Sequence, residues 1–359
     1  MAKRDANVDV TVHAVSCSVH RTVCHDFDVH GYPKIKLFAA GDTNVTATAE
    51  YFALHPFDVL NKLGIQVEMK LEPTTTTAAG STKTTNVRSA SSSLSGARKK
   101  PVRKRTKQDV YNDANLSFHF ALRNAIFMTN GPLSEKEKKA FEEWLVLLKR
   151  TLPPTWNIHN LIRALGDNFD KITKSEKALL KVVDKYPPIK KTWSAACTKG
   201  EKAAGYTCGL WELFHIVTVG LVEWNRLITT DDWTMVLGTE DAAVAIRNYV
   251  EHFFGCEVCR TNFVGAFDAC AHDRCHRLDN DSPDVTGWRE LPLWLFETHN
   301  AVNVRLMTEQ AERVGRTSTT QQDQLDAQWP PRDECPQCWR DDGGWQEENM
   351  FRYIRLEYW

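Results

Sequence analysis

Ten cysteines in a chain of 359 residues fall as five close pairs: Cys17/Cys24, Cys197/Cys208, Cys256/Cys259, Cys270/Cys275 and Cys335/Cys338. An even number placed as local pairs is what disulfides in an oxidising compartment give. Zinc ribbons instead need two pairs at a regular separation with few other cysteines. The disulfide reading constrains the chain more than any other feature, because each bridge ties two backbone points across a short loop.

The length allows two or three domains, each burying its own core. A formal net charge of -1 argues against nucleic acid as the main partner. No run of about 18 apolar residues is found, so no membrane span is expected. The N-terminus, Met1-Ala-Lys-Arg-Asp5, lacks the apolar run of a signal peptide. Asn44-Val-Thr46 and Asn115-Leu-Ser117 fit the glycosylation acceptor pattern, which chance also produces often.

Composition divides the chain into four parts. Val8 to Val15 alternates as a half-buried strand does, and Lys34-Ile-Lys-Leu-Phe38 does so again after Gly31-Tyr-Pro33. Residues 72–107 are dominated by Thr, Ser and Ala and close on Arg98-Lys-Lys-Pro-Val-Arg-Lys-Arg105. They cannot bury enough apolar surface to order themselves and read as a linker. From Asp109 the pattern is helical: one helix through Leu116 to Phe127, a second opened by the capping box Ser134-Glu-Lys-Glu137, and a third through Leu179 to Val183, stopped by Pro187-Pro188. These helices carry no catalytic constellation. From Trp193 onward, helices predicted over 210–221, 241–254, 261–271 and 293–307 are rich in aromatics, His and Cys. Such helices predict a bundle with a cofactor site in its core.

Cys256-Glu-Val-Cys259 is the chemical centre of this pattern. Taken alone it is a redox pair, half a zinc site or an accident. At the start of a helix, the N-terminus and nearby cations stabilise a thiolate, so that one sulfur attacks and the other resolves. To pass electrons onward to oxygen, a dithiol needs a cofactor such as flavin. Trp211 and His215, at i and i+4, share a helix face and offer a stacking surface for a flat ring. His299, Asn300 and Asn303, with Arg305 beyond them, supply hydrogen-bonding groups and a positive charge. Tyr249 and His252 lie just upstream of the cysteines and are expected to face the same cavity.

Four blocks in series carry a resemblance: Cys208-Gly-Leu-Trp211-Glu-Leu-Phe-His215, Tyr249-Val-Glu-His-Phe-Phe-Gly-Cys256-Glu-Val-Cys259, Leu293-Trp-Leu-Phe-Glu-Thr-His299-Asn300-Ala-Val-Asn303-Val-Arg305 and Trp329-Pro-Pro-Arg-Asp-Glu-Cys335-Pro-Gln-Cys338. In order and content they resemble the flavin-dependent sulfhydryl oxidases of the Erv/ALR type, and more narrowly the quiescin sulfhydryl oxidase family. The N-terminal segment around Cys17, Cys24 and Pro33 is similar to the second half of a thioredoxin domain, with Pro33 at the family's cis-proline position.

The resemblance implies an α+β multidomain chain: a partial thioredoxin-like α/β region at 1–70, a flexible basic linker at 71–108, a degenerate Erv-like helical domain at 109–192 that binds no flavin, and an FAD-binding Erv/ALR bundle of four to five helices at 193–359. It implies FAD as cofactor, thiol-bearing proteins or small dithiols as substrates, and oxygen reduced to hydrogen peroxide. It makes Cys256 the interchange cysteine and Cys259 the flavin-proximal one. Trp211, His215, Tyr249, His252, His299, Asn300, Asn303 and Arg305 become flavin contacts. Cys17/Cys24 and Cys197/Cys208 match structural disulfides, and Cys335/Cys338 an accessory Cys-x-x-Cys. Cys270 and Cys275 have no counterpart and are expected to form a local stabilising bridge. No metal is implied. A secretory-pathway or extracellular location and a monomer, the degenerate domain standing in for a second subunit, are expected.

No Cys-x-x-Cys precedes Cys17, so the chain is expected to be a fragment without the upstream dithiol that collects electrons from a substrate. Two alternatives use the same residues: a zinc-stabilised binding module on Cys256/Cys259 and Cys335/Cys338, and an isomerase-like oxidoreductase without oxygen chemistry.

Overall fold

The structure, a computed structural model, describes residues 15, 20–27, 34–37, 49–52, 105–129, 131–198, 205–228, 236–313, 315–316 and 318–359. The chain forms two compact units, residues 1–13 with 34–104 and residues 14–33 with 105–359. In the first, β1 (Lys34–Leu37) pairs antiparallel with β2 (Ala49–Phe52), Lys34 opposite Phe52 and Leu37 opposite Ala49. β1 is the alternating segment expected to be a strand. The other segments expected to belong to a thioredoxin-like region, the expected linker up to residue 104, Cys17, Pro33 and Asn44 lie outside the described residues. Cys24, buried on α1 (Arg21–Asp26) in the second unit, is disulfide-bonded.

The rest of the second unit is helical among its described residues. It runs α2 (Lys107–Asn124), α3 (Glu135–Thr151), α4 (Ile158–Asp167), α5 (Phe169–Ile172), α6 (Glu176–Val183), α7 (Ala195–Thr198), α8 (Gly205–Leu227), α9 (Thr239–Phe253), α10 (Glu257–Asp268), α11 (Arg274–Arg277), α12 (Val285–Trp288), α13 (Glu290–Arg313), α14 (Gln321–Asp326) and α15 (Glu347–Tyr358). Residues 109–192 and 193–359, read as two domains from the sequence, fall in one unit with a continuous core.

Local chemistry sets the starts. Thr106 and Asp109 close a capping box at α2, so helix begins inside the expected linker. Ser134 and Glu137 do the same at α3, as their spacing foretold. α10 starts at Cys256, several residues earlier than the periodicity suggested, because the Cys256 sulfur accepts the Cys259 N–H and acts as the cap. Pro292 sits in the first turn of α13, where its missing N–H breaks no helical bond. α15 was not foreseen. Its apolar positions Met350, Phe351, Ile354 and Tyr358 are all buried and recur at helical spacing.

α8 organises the unit. Leu213, Ile216, Val217, Val219, Leu221 and Val222 have essentially no exposed surface, and α2, α3, α13 and α15 all pack on it. Contrary to the expectation of no span-like run, α8 reaches a mean hydropathy of 1.2 over an 18-residue window; 78% of that window is buried in the protein, which marks a core helix. Two glycines let its neighbours close in. A side chain at Gly209 would meet the Asp113 carbonyl of α2, and one at Gly220 the Thr151 carbonyl of α3 and the Trp359 ring. Asn115 is buried on α2, so its glycosylation pattern lies where no glycan can be attached.

Gly220→Ala gains helix propensity but drives a methyl into backbone that cannot swing away. It is expected to lower unfolding stability by about 1–3 kcal/mol. Denaturant unfolding of the two chains checks this, and an unchanged midpoint would contradict the close approach.

A cavity beside the Cys256–Cys259 disulfide

Cys256 and Cys259 are bonded to each other at the N-terminus of α10. The positive end of the helix favours a thiolate there once the bridge opens. Arg260, the residue after Cys259, donates to the Phe254 carbonyl at 3.1 Å. The two sulfurs occupy different surroundings. Cys259 lines a cavity of about 510 Å³ walled by α8, α10 and α13, whereas Cys256 caps the helix and does not line it.

Trp211 and His299 lie flat on one another in the cavity wall, ring centroids 4.2 Å apart and planes within 3°. Asn303 and Arg305 follow on α13, with Arg305 paired to Glu309 one turn along. Thr298 adds a buried hydroxyl with no hydrogen bond inside the protein. Cys197 and Cys208, bonded to each other, close part of the wall between α7 and α8. Trp211, His299, Asn303, Arg305 and Cys259 are thus brought together as expected.

Four expected contacts lie elsewhere. His215 shares the Trp211 face of α8, but the next turn is sealed by the C-terminal helix. It is fully buried, stacks on Tyr358 at 4.8 Å and places Nε2 3.0 Å from His299 Nδ1. One of these nitrogens donates and the other accepts. Burial, with the His299 and Arg105 charges, holds the His215 imidazole well below its ordinary range and neutral at pH 7. His215 therefore orients His299 from behind the wall. Asn300 is consumed by the chain beyond α13: its amide donates to the Trp329 carbonyl at 2.7 Å and accepts the Trp329 N–H at 2.8 Å. Tyr249 is a core residue stacked on Trp144 at 4.6 Å. His252, a turn from the cysteines, points outward beside Glu251. Periodicity gave each of these the right helix but could not say which neighbour covers the face.

Several lining residues escaped the sequence reading, Asn262, Glu212, His272 and Thr298 among them. Asn262 follows Cys259 by three, and Glu212 follows Cys208 by four, so both were accessible from helical spacing. His272 was not. It enters the wall from a tight turn in which Cys270, His272 and Asp273 all have positive φ, and which the Cys270–Cys275 bridge closes. Arg274, stacked over Phe267 at 3.9 Å, donates to the Phe267 carbonyl at 3.1 Å and steadies the same turn. Cys335 and Cys338 are bonded and fully buried against α15. With both Cys-x-x-Cys pairs closed, their sulfurs are not thiolates available to zinc.

Residues 208–330 match the Erv1 / Alr family. The chain is 33% identical over 174 residues to Sulfhydryl oxidase 1 of Gallus gallus, covering 48% of this chain and 20% of that protein. It is 26% identical over 265 residues to human Sulfhydryl oxidase 2, covering 68% of this chain and 34% of that protein. The chain thus spans between a fifth and about a third of the length of these relatives. The solved sulfhydryl oxidase fragment of human QSOX1 shares its fold, with a TM-score of 0.52 at 23% identity over 69% of this chain and 94% of the fragment. In motif series and sequence, residues 208–330 are thus similar to the Erv1 / Alr family and the chain to the sulfhydryl oxidases, with a fold shared with the QSOX1 fragment.

Proposed function

We propose that the protein is an FAD-dependent thiol oxidase that forms disulfides in thiol-bearing proteins or small dithiols and passes the electrons to oxygen, giving hydrogen peroxide. The observation that carries this reading is the asymmetry of the Cys256–Cys259 disulfide, with only Cys259 lining the cavity.

The cavity suits a flavin. Its volume is in the range of small-molecule and cofactor sites, and its wall carries a flat aromatic pair. Trp211 and His299 would stack on or flank a ring, Asn262, Thr298 and Asn303 would hydrogen-bond, and Arg305 would meet a phosphate. When bound, FAD supplies the two-electron acceptor that reoxidises the dithiol and delivers the electrons to oxygen as hydrogen peroxide.

The protein's own groups do the rest. An incoming thiolate attacks Cys256, forming a mixed disulfide and releasing Cys259 as a thiolate at the cavity wall, where the α10 N-terminus stabilises its charge. A second substrate thiol then displaces Cys256, leaving the substrate oxidised and both enzyme cysteines reduced. Phe214, Phe254 and Phe263 give the same cavity an apolar wall. The neutral His215 fixes the His299 ring without adding a second positive charge.

The remaining assignments follow from the same reading. Residues 1–70 are a partial thioredoxin-like region, 71–108 a linker, 109–192 a degenerate Erv-like part and 193–359 the flavin-binding part. The closed disulfides support a secretory-pathway or extracellular setting. α2 and α3 cover α8 and α9, which supports a monomer.

Purified protein is expected to be yellow, with flavin absorbance, and to consume oxygen with a small dithiol; a colourless chain that cannot be reconstituted with FAD would overturn the reading. Cys259→Ser should retain FAD and lose oxygen uptake with every thiol, as followed by an oxygen electrode. Cys335→Ser should lower the melting temperature while reducing turnover far less than Cys259→Ser, because the bridge it breaks is buried among structural contacts.

A further inference from the structure

The turn between α10 and α11 costs free energy to form. Cys270, His272 and Asp273 adopt φ of 57°, 57° and 58°, a left-handed conformation that residues with side chains disfavour. Several anchors hold it there. The Cys270–Cys275 bridge closes the turn, and the Trp294 indole of α13 donates to the Ala271 carbonyl at 3.1 Å. Arg274 donates to the Phe267 carbonyl at 3.1 Å, and Arg277 to the His272 carbonyl at 3.1 Å. None of these anchors uses the His272 ring, which lines the cavity beside the Cys256–Cys259 disulfide.

The His272 side chain is 31% exposed, so its neighbours do not seal it as they seal His215. Its Nδ1 lies 3.7 Å from Oε2 of Glu297 on α13, a carboxylate whose Oε1 accepts from Arg277 at 2.7 Å. Burial, with the Arg277 charge, lowers the His272 imidazole from its ordinary range and keeps it neutral at pH 7. A neutral imidazole carries one proton, and the carboxylate favours it on Nδ1. Nε2 is then an acceptor.

We propose that the Cys270–Cys275 turn is a cofactor clamp: the bridge holds the left-handed backbone so that His272 meets the bound flavin dinucleotide, its Nε2 accepting from an N–H or O–H of that ligand. The proposal rests on the flavin reading above. It gives Cys270 and Cys275 a part in retaining the cofactor, and it accounts for a strained turn being built against the cavity wall.

Titrating the full-length apoprotein with FAD, read by quenching of flavin fluorescence, tests this, with thermal unfolding of each apoprotein as the control. H272N keeps a residue that tolerates the left-handed conformation but ends short of Nε2. It is expected to bind FAD about 10-fold more weakly while the apoprotein melting temperature stays unchanged. C270S/C275S should weaken FAD binding by a similar factor. H272N added to that chain should weaken it no further, because the ring is already out of place. Unchanged FAD affinity in H272N or in C270S/C275S overturns the proposal, and so does a full second loss when the two are combined. If C270S/C275S does not fold, H272N alone decides. A wild-type chain that takes up no FAD overturns this and the flavin reading together.

Discussion

Everything at the site depends on α8 being buried on all sides. A helix with apolar residues around its whole circumference has no solvent face, so its polar side chains are committed to partners inside the protein. Trp211, Glu212 and His215 follow one another on this helix, yet they meet three different environments. Trp211 reaches the cavity and its stacking partner His299, Glu212 is shared between the cavity and Arg105, and His215 is sealed behind the wall against Tyr358. Gly209 and Gly220 allow this by letting α2 and α3 approach the α8 backbone, so the neighbours that sort these side chains sit close enough to do so.

The disulfides play two parts. Cys256–Cys259 is placed where opening it yields a thiolate at a helix N-terminus and a cavity, an arrangement that makes chemistry possible. The others act on shape. Cys197–Cys208 shuts the cavity wall between α7 and α8, Cys270–Cys275 closes a left-handed turn that presents His272, and Cys335–Cys338 is buried where α15 meets the chain after α13. Of these, Cys335–Cys338 has no exposed surface, so no incoming thiolate reaches it for exchange.

Much of this was legible beforehand. The capping box at Ser134, the alternation of β1 and the spacing of Cys256, Trp211 and His299 depend on residues within a turn or two of each other, which sequence displays directly. What sequence misjudged was coverage. Asn300 looked like a cofactor contact and instead holds the Trp329 backbone, Tyr249 looked like a cavity residue and stacks on Trp144, and α8 looked short although it is a 23-residue core helix. Each error concerns a partner far along the chain, where helical periodicity is silent.

By itself the sequence determined the local pairing of cysteines, the helical identity of the C-terminal half and the serial order of the motifs around Trp211, Cys256 and His299, because these follow from local spacing and side-chain type. Only the tertiary structure decided which sulfur of Cys256-Glu-Val-Cys259 lines the cavity, that His215 supports rather than lines it, and that the Glu212 carboxylate is held by Arg105. The reason is physical: a helix fixes which side chains share a face, but burial and hydrogen bonding depend on what packs against that face, and here α2, α13 and the unforeseen α15 supply it.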